Sequence, residues 1–243
     1  MAEEKQIYTV PEEQSRTARV IGADAVARLS EANVAVFGVG GVGGHLCEAL
    51  ARSGVGHITL FDGDTVSLSN INRQSVALHS TVGRPKVDVM KERISDINPG
   101  CEVNAVYGFY TPENAASFDL SLYDFIADAV DSVPAKIELA VRCAGAGIPI
   151  ISAMGAGNKL HPELFRIADL SKTAADPLAR VMRRELGKRG IRHLTVVYSE
   201  EQPVLSENAD LSERAPGSLS FVPGVMGMIM AGEIIRRLTA PDR

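Results

Sequence analysis

Apolar and polar positions repeat in a regular rhythm over the first 150 residues. The run Asn33–Phe37 (NVAVF) is short, β-rich and apolar, the pattern of a buried strand. Glycines follow it, and residues 45–52 then carry apolar side chains at helical spacing, with Gly54 as the stop. The two patterns recur: strands at 58–61, 103–107, 124–127 and 148–152, helices at Lys86–Ile97 and 135–144. Short strands alternating with helices predict a parallel sheet covered on both faces. Beyond residue 152 the rhythm changes. Residues 164–168 and 194–198 read as strands, 177–189 as a basic helix between them, 199–218 as a polar, turn-rich loop and 224–238 as a closing amphipathic helix. The first 32 residues are polar and then weakly helical.

These elements predict an α/β fold, doubly wound and Rossmann-like, with a mostly parallel sheet and an elaborated C-terminal third. The 243 residues show no linker, repeat or low-complexity tract, so 1–243 reads as one domain. Its nucleotide-binding core spans about 33–152 and its substrate side about 153–243. Composition narrows the class. Hydrophobic residues make up 45% and charged residues 23%, as in an ordinary globular protein. The net charge of −5 argues against a general nucleic-acid coat. Three cysteines make no disulfide framework, the start MAEEKQ lacks a signal-peptide pattern, and the apolar run 225–231 is short and meets Glu233. The expected place is the cytoplasm, away from membranes.

The chemistry begins at Gly38-Val39-Gly40-Gly41-Val42-Gly43-Gly44, between the first strand and its helix. Glycines there let backbone approach a phosphate that the helix N-terminus faces. Asp62 ends the next strand, 24 residues after Gly38, where a carboxylate accepts hydrogen bonds from ribose hydroxyls. A tight ligand-free turn is the bland alternative, and Gly38, Gly40 and Gly43 also satisfy a dinucleotide fingerprint. The charges that follow suit a triphosphate better. Asp64 and Ser69-Asn70-Ile71-Asn72-Arg73-Gln74 lie in the loop after Asp62, Lys86 follows Gly83-Arg84-Pro85, and Asp131-Ser132 lies past the fourth strand. The carboxyl ends of these strands face one crevice. Arg73 and Lys86 would hold outer phosphates and Asp131 a Mg²⁺ ion. Each residue alone also has a plain reading: a solvated cation, or for Asp131 a cap on the helix near Val133.

As a set, GVGGVGG, Asp62, SNINRQ, GRPK and Asp131 resemble the ubiquitin-activating, ThiF-type adenylating superfamily, over about residues 16–238. The resemblance implies carboxylate adenylation by ATP. It implies a ribose contact for Asp62, phosphate contacts for Asn70, Arg73 and Lys86, and magnesium on Asp131. Gly38, Gly40, Gly41, Gly43, Asp64, Ser69, Asn72, Gln74 and Ser132 complete the expected ATP set. Arg16 and Arg19, in RTAR, match an N-terminal element that reaches the ATP of a second copy, so Arg19 joins Arg73, Lys86 and Asp131 as an expected catalytic group in a homodimer. An exposed helix residue is the alternative for Arg19.

Within the superfamily the activated acid differs. Members that load a carrier protein often use a catalytic cysteine and CxxC zinc pairs; this chain has no CxxC, only Cys47, Cys101 and Cys143, of which Cys47 and Cys143 read as core. A narrower match is Thr111-Pro112-Glu113-Asn114, Asp131-Ser132-Val133 with Lys136, and Asp169-Leu170-Ser171-Lys172-Thr173 followed by Asp176-Pro177-Leu178. These resemble the tRNA threonylcarbamoyladenosine dehydratases, which implies ATP-dependent cyclisation of a modified adenosine in tRNA. The substrate then supplies the nucleophile and no enzyme cysteine is needed. The 193–221 stretch is shorter than in long members and lacks the cysteines some of them have near the C-terminus, which counts against a cysteine role and against contact with a sulfur-transfer helper protein, the further partner the resemblance implies. The alternatives are adenylation of a small carrier protein's C-terminal glycine, ATP sensing without turnover, and NAD-dependent dehydrogenation.

One segment departs from the acidic balance. Residues 172–192 hold seven cations against two acids, a net +5, so the remaining chain carries −10. Lys172, Arg180, Arg183, Arg184 and Lys188 are the expected contacts to tRNA backbone phosphates, the last four at spacings that allow one helical face. Their bland reading is a solvated helix. Phe109 and Tyr110 are candidate stacking groups that also read as core.

Overall fold

A computed structural model describes residues 8–204 and 216–240. The start MAEEKQ and the middle of the expected 199–218 loop lie outside the described residues. The N-terminal helical stretch is two helices, α1 (Ser15–Ile21) and α2 (Ala23–Glu31), separated at Gly22. Then β1 (Asn33–Phe37), α3 (Gly43–Arg52), β2 (His57–Asp62), α4 (Lys86–Ile97) and β3 (Glu102–Tyr107) follow. A second series is β4 (Phe125–Asp128), α5 (Val133–Ala146), β5 (Ile150–Ala153), β6 (Phe165–Asp169), α6 (Pro177–Gly187), β7 (Thr195–Ser199) and α7 (Phe221–Thr239).

The strands make one seven-stranded sheet in the order β3-β2-β1-β4-β5-β7-β6. All neighbours are parallel except β6, the antiparallel edge beside β7. The expected doubly wound, mostly parallel sheet is present. What the local pattern did not show is that the C-terminal third extends the same sheet, through β7 against β5. The order reverses between β1 and β4, and the crevice outside their carboxyl ends is where such sheets bind ligands.

Helix boundaries follow their end residues. Ser132 caps α5 by accepting from the Ala135 N–H at 3.5 Å, Pro134 stands in its first turn, and Gly147 ends it in the left-handed region. Asp131 is therefore not the cap. Asp176 caps α6, accepting from Ala179 N–H at 2.9 Å, with Pro177 as first residue. α3 buries Leu46, Cys47, Leu50 and Ala51 together with β1 and the α7 residues Val222, Met226 and Met230. Each fully buried leucine there contributes roughly 2–3 kcal/mol. A second cluster on the other face joins Phe37, Phe61, Tyr110 and Leu139, with Phe37 and Phe61 stacked at 4.3 Å. Among the described residues no helix is long and apolar enough to cross a membrane.

Candidate functional site

The crevice at the β1–β4 reversal is a cavity of about 890 Å³. Its floor is the glycine loop. Gly38 has φ +89°, and a Cβ there would meet the Ala129 carbonyl oxygen at 2.6 Å. Gly43 allows the loop to close, since its Cβ would lie 1.8 Å from the Gly38 oxygen. Gly43 does not line the cavity. What the structure gives Gly43 is this packing role, with the first turn of α3 seated on the loop's own backbone.

Asp62 ends β2 at the cavity wall. Its carboxylate accepts the Val39 N–H at 2.7 Å and the Asp64 N–H at 2.8 Å, so it fixes the glycine loop and keeps lone pairs for further donors. Burial pushes its pKa up, while those two N–H groups and the Lys86 charge pull it down. Lys86 is brought there by the loop between β2 and α4, whose ends are joined by Val66 N–H to Arg84 O at 2.8 Å and Lys86 N–H to Asp64 O at 3.0 Å. The Lys86 side chain is 6% exposed and its ammonium donates to Asp64 at 2.7 Å. A buried lysine with one exposed carboxylate partner is a cation held ready beside the cavity.

Arg73 reaches the same wall on a short turn (Leu68–Asn70 and beyond). The Asn70 side chain accepts from Ser67 N–H at 3.1 Å, closing a capping box that fixes the turn. Ser69 and Asn72 do not line the cavity. Their oxygens accept from the Arg73 guanidinium, at 3.2 Å from the Ser69 carbonyl and 2.9 Å from the Asn72 side chain, so they aim the arginine. Asn72 also donates to Ser218 O at 3.0 Å, tying this turn to the C-terminal third. Gln74 lines the cavity, and its Oε1 is buried with no hydrogen-bond partner among the described residues.

Of the expected ATP set, Gly38, Gly40, Gly41, Asp62, Asp64, Asn70, Arg73, Gln74, Lys86, Asp131 and Ser132 converge on the cavity. Asp131 is exposed in it. Arg19 does not line it; it is exposed on α1, a helix without a buried residue. Phe109, a candidate stacking group, and Thr111, from the Thr111–Asn114 motif, also line the cavity; the residues not foreseen are Ala156, Gly157, Pro216, Ser218 and Pro223 from the C-terminal third. Phe109 is exposed at the rim, beside Gly63, whereas Tyr110 is core. The cavity lining combines apolar side chains (Phe37, Phe61, Phe109, Val130, Ala135) with charged ones (Asp62, Arg73, Lys86, Asp131), a composition that suits both the base and the phosphates of a nucleotide. The signal for the C-terminal wall is absent from local sequence, because it arrives by tertiary packing alone.

The expected tRNA contacts lie on and near α6, outside this cavity. Lys172, Arg180 and Arg184 are exposed. Arg183 is turned inward and donates to the Thr173 carbonyl at 2.9 Å, the Thr173 hydroxyl at 2.6 Å and Leu170 O at 3.3 Å. Its place on the expected basic face is corrected: Met182 and Leu186 bury the adjoining side of α6 and draw Arg183 with them. Glu185 holds Arg184 at 3.0 Å, Lys188 at 2.9 Å and Arg189 at 3.5 Å. All three cysteines are free and buried. Burial pushes the thiols up, Cys101 to about 11, Cys143 to about 12 and Cys47 further, so none is a ready nucleophile.

Comparison with known proteins agrees with this geometry. The ThiF family model matches residues 13–243. The tRNA threonylcarbamoyladenosine dehydratase of Bacillus subtilis is 46% identical over 237 residues, 92% of this chain and 93% of that protein. The molybdopterin-synthase adenylyltransferase of Escherichia coli is more distant, 30% identical over 215 residues, 88% of this chain and 76% of that one. The crystal structure of E. coli tRNA N6-threonylcarbamoyladenosine dehydratase, TcdA, in complex with ATP superposes with a TM-score of 0.86 at 34% identity, over 95% of this chain and 97% of that one. The same protein in complex with AMP gives the same score and identity.

Proposed function

The chain belongs to the ThiF family, and from that premise we propose that it is an ATP-dependent tRNA threonylcarbamoyladenosine dehydratase. The observation that carries the reading is the cavity that gathers a glycine loop, Asp62, Arg73, Lys86 and Asp131 while every thiol stays buried. The threonyl carboxylate of the modified adenosine attacks the α-phosphorus of ATP and pyrophosphate leaves. A carbamoyl nitrogen or oxygen of the same side chain then attacks the activated carbonyl, closing the ring as AMP leaves. The net change is loss of water. Arg73 and Lys86 would meet phosphate oxygens, with Lys86 leaving Asp64 to do so, and Asp62 would accept ribose hydroxyls.

Magnesium fits the donors present. Asp131 offers one exposed carboxylate, and Mg²⁺ commonly takes one or two carboxylates with phosphate and water as its other ligands. When bound it would neutralise phosphate charge; Asp131 is the residue that would hold it. We assign the tRNA backbone to Lys172, Arg180, Arg184 and Lys188, and the exposed α1, with Arg19 and an 85% exposed Val20, to a second copy of the chain. The chain works as one adenylating domain in the cytoplasm, where its tRNA substrate is.

Incubating the protein with ATP and tRNA carrying threonylcarbamoyladenosine is expected to give a nucleoside lighter by one water together with AMP. Neither product from correctly modified tRNA would reject the substrate. Pyrophosphate exchange that depends on a diglycine carrier protein and not on tRNA would instead favour the carrier-protein reaction. Asp131→Ala is expected to abolish Mg²⁺-dependent turnover without unfolding; unchanged turnover would remove the metal assignment.

A further inference from the structure

Beneath the cavity lies a charged group that the reaction above leaves without a task. The side chains of Lys136 and Asp128 are each 1% exposed. The Lys136 ammonium donates to both Asp128 carboxylate oxygens at 3.0 Å and approaches the Ser152 hydroxyl at 3.4 Å, and that hydroxyl donates to Asp128. A buried ion pair is weak evidence of stabilisation, since apolar side chains of similar volume often do as well. Its placement is more informative. Asp128 ends β4 and pairs in register with Phe37 of β1 and with Ser152 of β5. Lys136 stands in the first turn of α5, its N–H donating to Ser132 O at 3.0 Å. The three residues therefore bracket the four-residue loop 129–132 at both ends.

That loop is the one that crosses the glycine loop and carries Asp131 and Ser132 into the cavity. Asp128 also accepts the Val130 N–H at 3.3 Å, and Ala129 N–H donates to Phe37 O at 2.8 Å. The clearance above the glycine loop is small, because a single Cβ on Gly38 would already reach Ala129 O at 2.6 Å. A loop free to shift would lose its fit to Gly38 and move Asp131 with it. We propose that Lys136, Asp128 and Ser152 are positioning residues that hold the 129–132 backbone and so set where the Asp131 carboxylate stands. The inference deepens the proposed role of Asp131 and rests on it for the ligand effect, while the loop's rigidity is measurable by itself.

Two double variants of the full chain separate positioning from simple stability. Lys136→Met with Asp128→Asn removes the charges but keeps a side-chain oxygen for Val130 N–H. Lys136→Met with Asp128→Leu removes both. Amide hydrogen exchange over 129–132 and ATP affinity with and without Mg²⁺ are measured well below each melting temperature. The leucine-bearing variant is expected to exchange faster over 129–132, with α3 unchanged, and to bind ATP about tenfold more weakly in Mg²⁺, near 1.4 kcal/mol. The asparagine-bearing variant keeps the acceptor for Val130 N–H but loses the Lys136 clamp, and is expected to fall between wild type and the leucine-bearing variant in both exchange and affinity, about threefold weaker than wild type. Equal exchange and equal affinity in the two doubles overturns the proposal. If neither double folds, Ser152→Ala decides: faster exchange over 129–132 supports it, and unchanged exchange overturns it. Asp131→Ala binding ATP with wild-type Mg²⁺ dependence would sink the metal role alone, and the exchange rates would still decide positioning.

Discussion

Lys86, at the start of α4, is buried up to its ammonium against Asp64, whereas Arg184, Lys188 and Arg189 on and just after α6 stand in solvent around the single carboxylate of Glu185. Arg73 is likewise held by two oxygens from its own turn. The cavity cations are few and each is aimed by backbone or by neighbouring side chains. The α6 cations are many, long and solvated, and surface pairs of that kind contribute little to stability. Under the proposed function the difference separates two tasks. Charge that develops on a transferring phosphate rewards fixed donors, since no reorganisation is needed at the moment of reaction. A polyanion backbone rewards numbers, through counterion release, and tolerates loose geometry.

Breaking the fixed set has the largest expected effect. Lys86→Ala should lower AMP formation about 10²–10³-fold, the scale of losing one preorganised donor, with the melting temperature little changed. Steady-state turnover and a thermal melt check both halves of that statement. Gly43→Ala attacks the floor instead of the charge. A Cβ 1.8 Å from the Gly38 oxygen forces backbone apart, at a cost of about 3 kcal/mol and a fall of roughly 6–12 °C in Tm by calorimetry.

The loose set should respond differently. Changing Lys172, Arg180, Arg184 and Lys188 together to alanine is expected to raise the KM for tRNA about tenfold with kcat unchanged, and to flatten the salt dependence of binding by up to about four in the log–log slope. Arg183→Ala sharpens the contrast: it should leave tRNA affinity alone and lower stability by roughly 1 kcal/mol, because its guanidinium holds Thr173 and Leu170. The smallest effect belongs to Glu185. Lys188 and Arg184 hold its pKa down to about 2 from the usual 4.5. A lowered carboxylate pKa means the folded state gains above the unfolded value and loses that gain as pH falls from 4.5 towards 2. The melting difference between wild type and Glu185→Gln should therefore be constant above about pH 5 and fade across that window.

The legibility of the two regions differs for physical reasons. The β-rich runs, the helices and the glycine loop are local patterns, and each was readable at its own residues. Asp62, Arg73, Lys86 and Asp131 were readable because every parallel strand delivers its carboxyl end to the same edge. Ser69, Asn72 and Gly43 belong to the right segments but touch other protein groups, since a motif gives residue order and not the direction of a side chain. Arg183 shows the same limit on α6: helical spacing placed it with Arg180 and Arg184, and packing of Met182 and Leu186 turned it inward.

By itself the sequence determined the alternation of strands and helices, most of the charged residues that line the crevice and the absence of a CxxC pair, because periodicity, turn residues and motif order are properties of short stretches. Only the tertiary structure decided the rest. The C-terminal third joins the same sheet and closes the cavity with Ala156, Gly157, Pro216, Ser218 and Pro223, contacts far apart in the chain. Lys136, Asp128 and Ser152 meet beneath the Asp131 loop because β4, β5 and α5 pack there. Such contacts arise from burial of surfaces distant in sequence, and no local pattern encodes which surfaces those are.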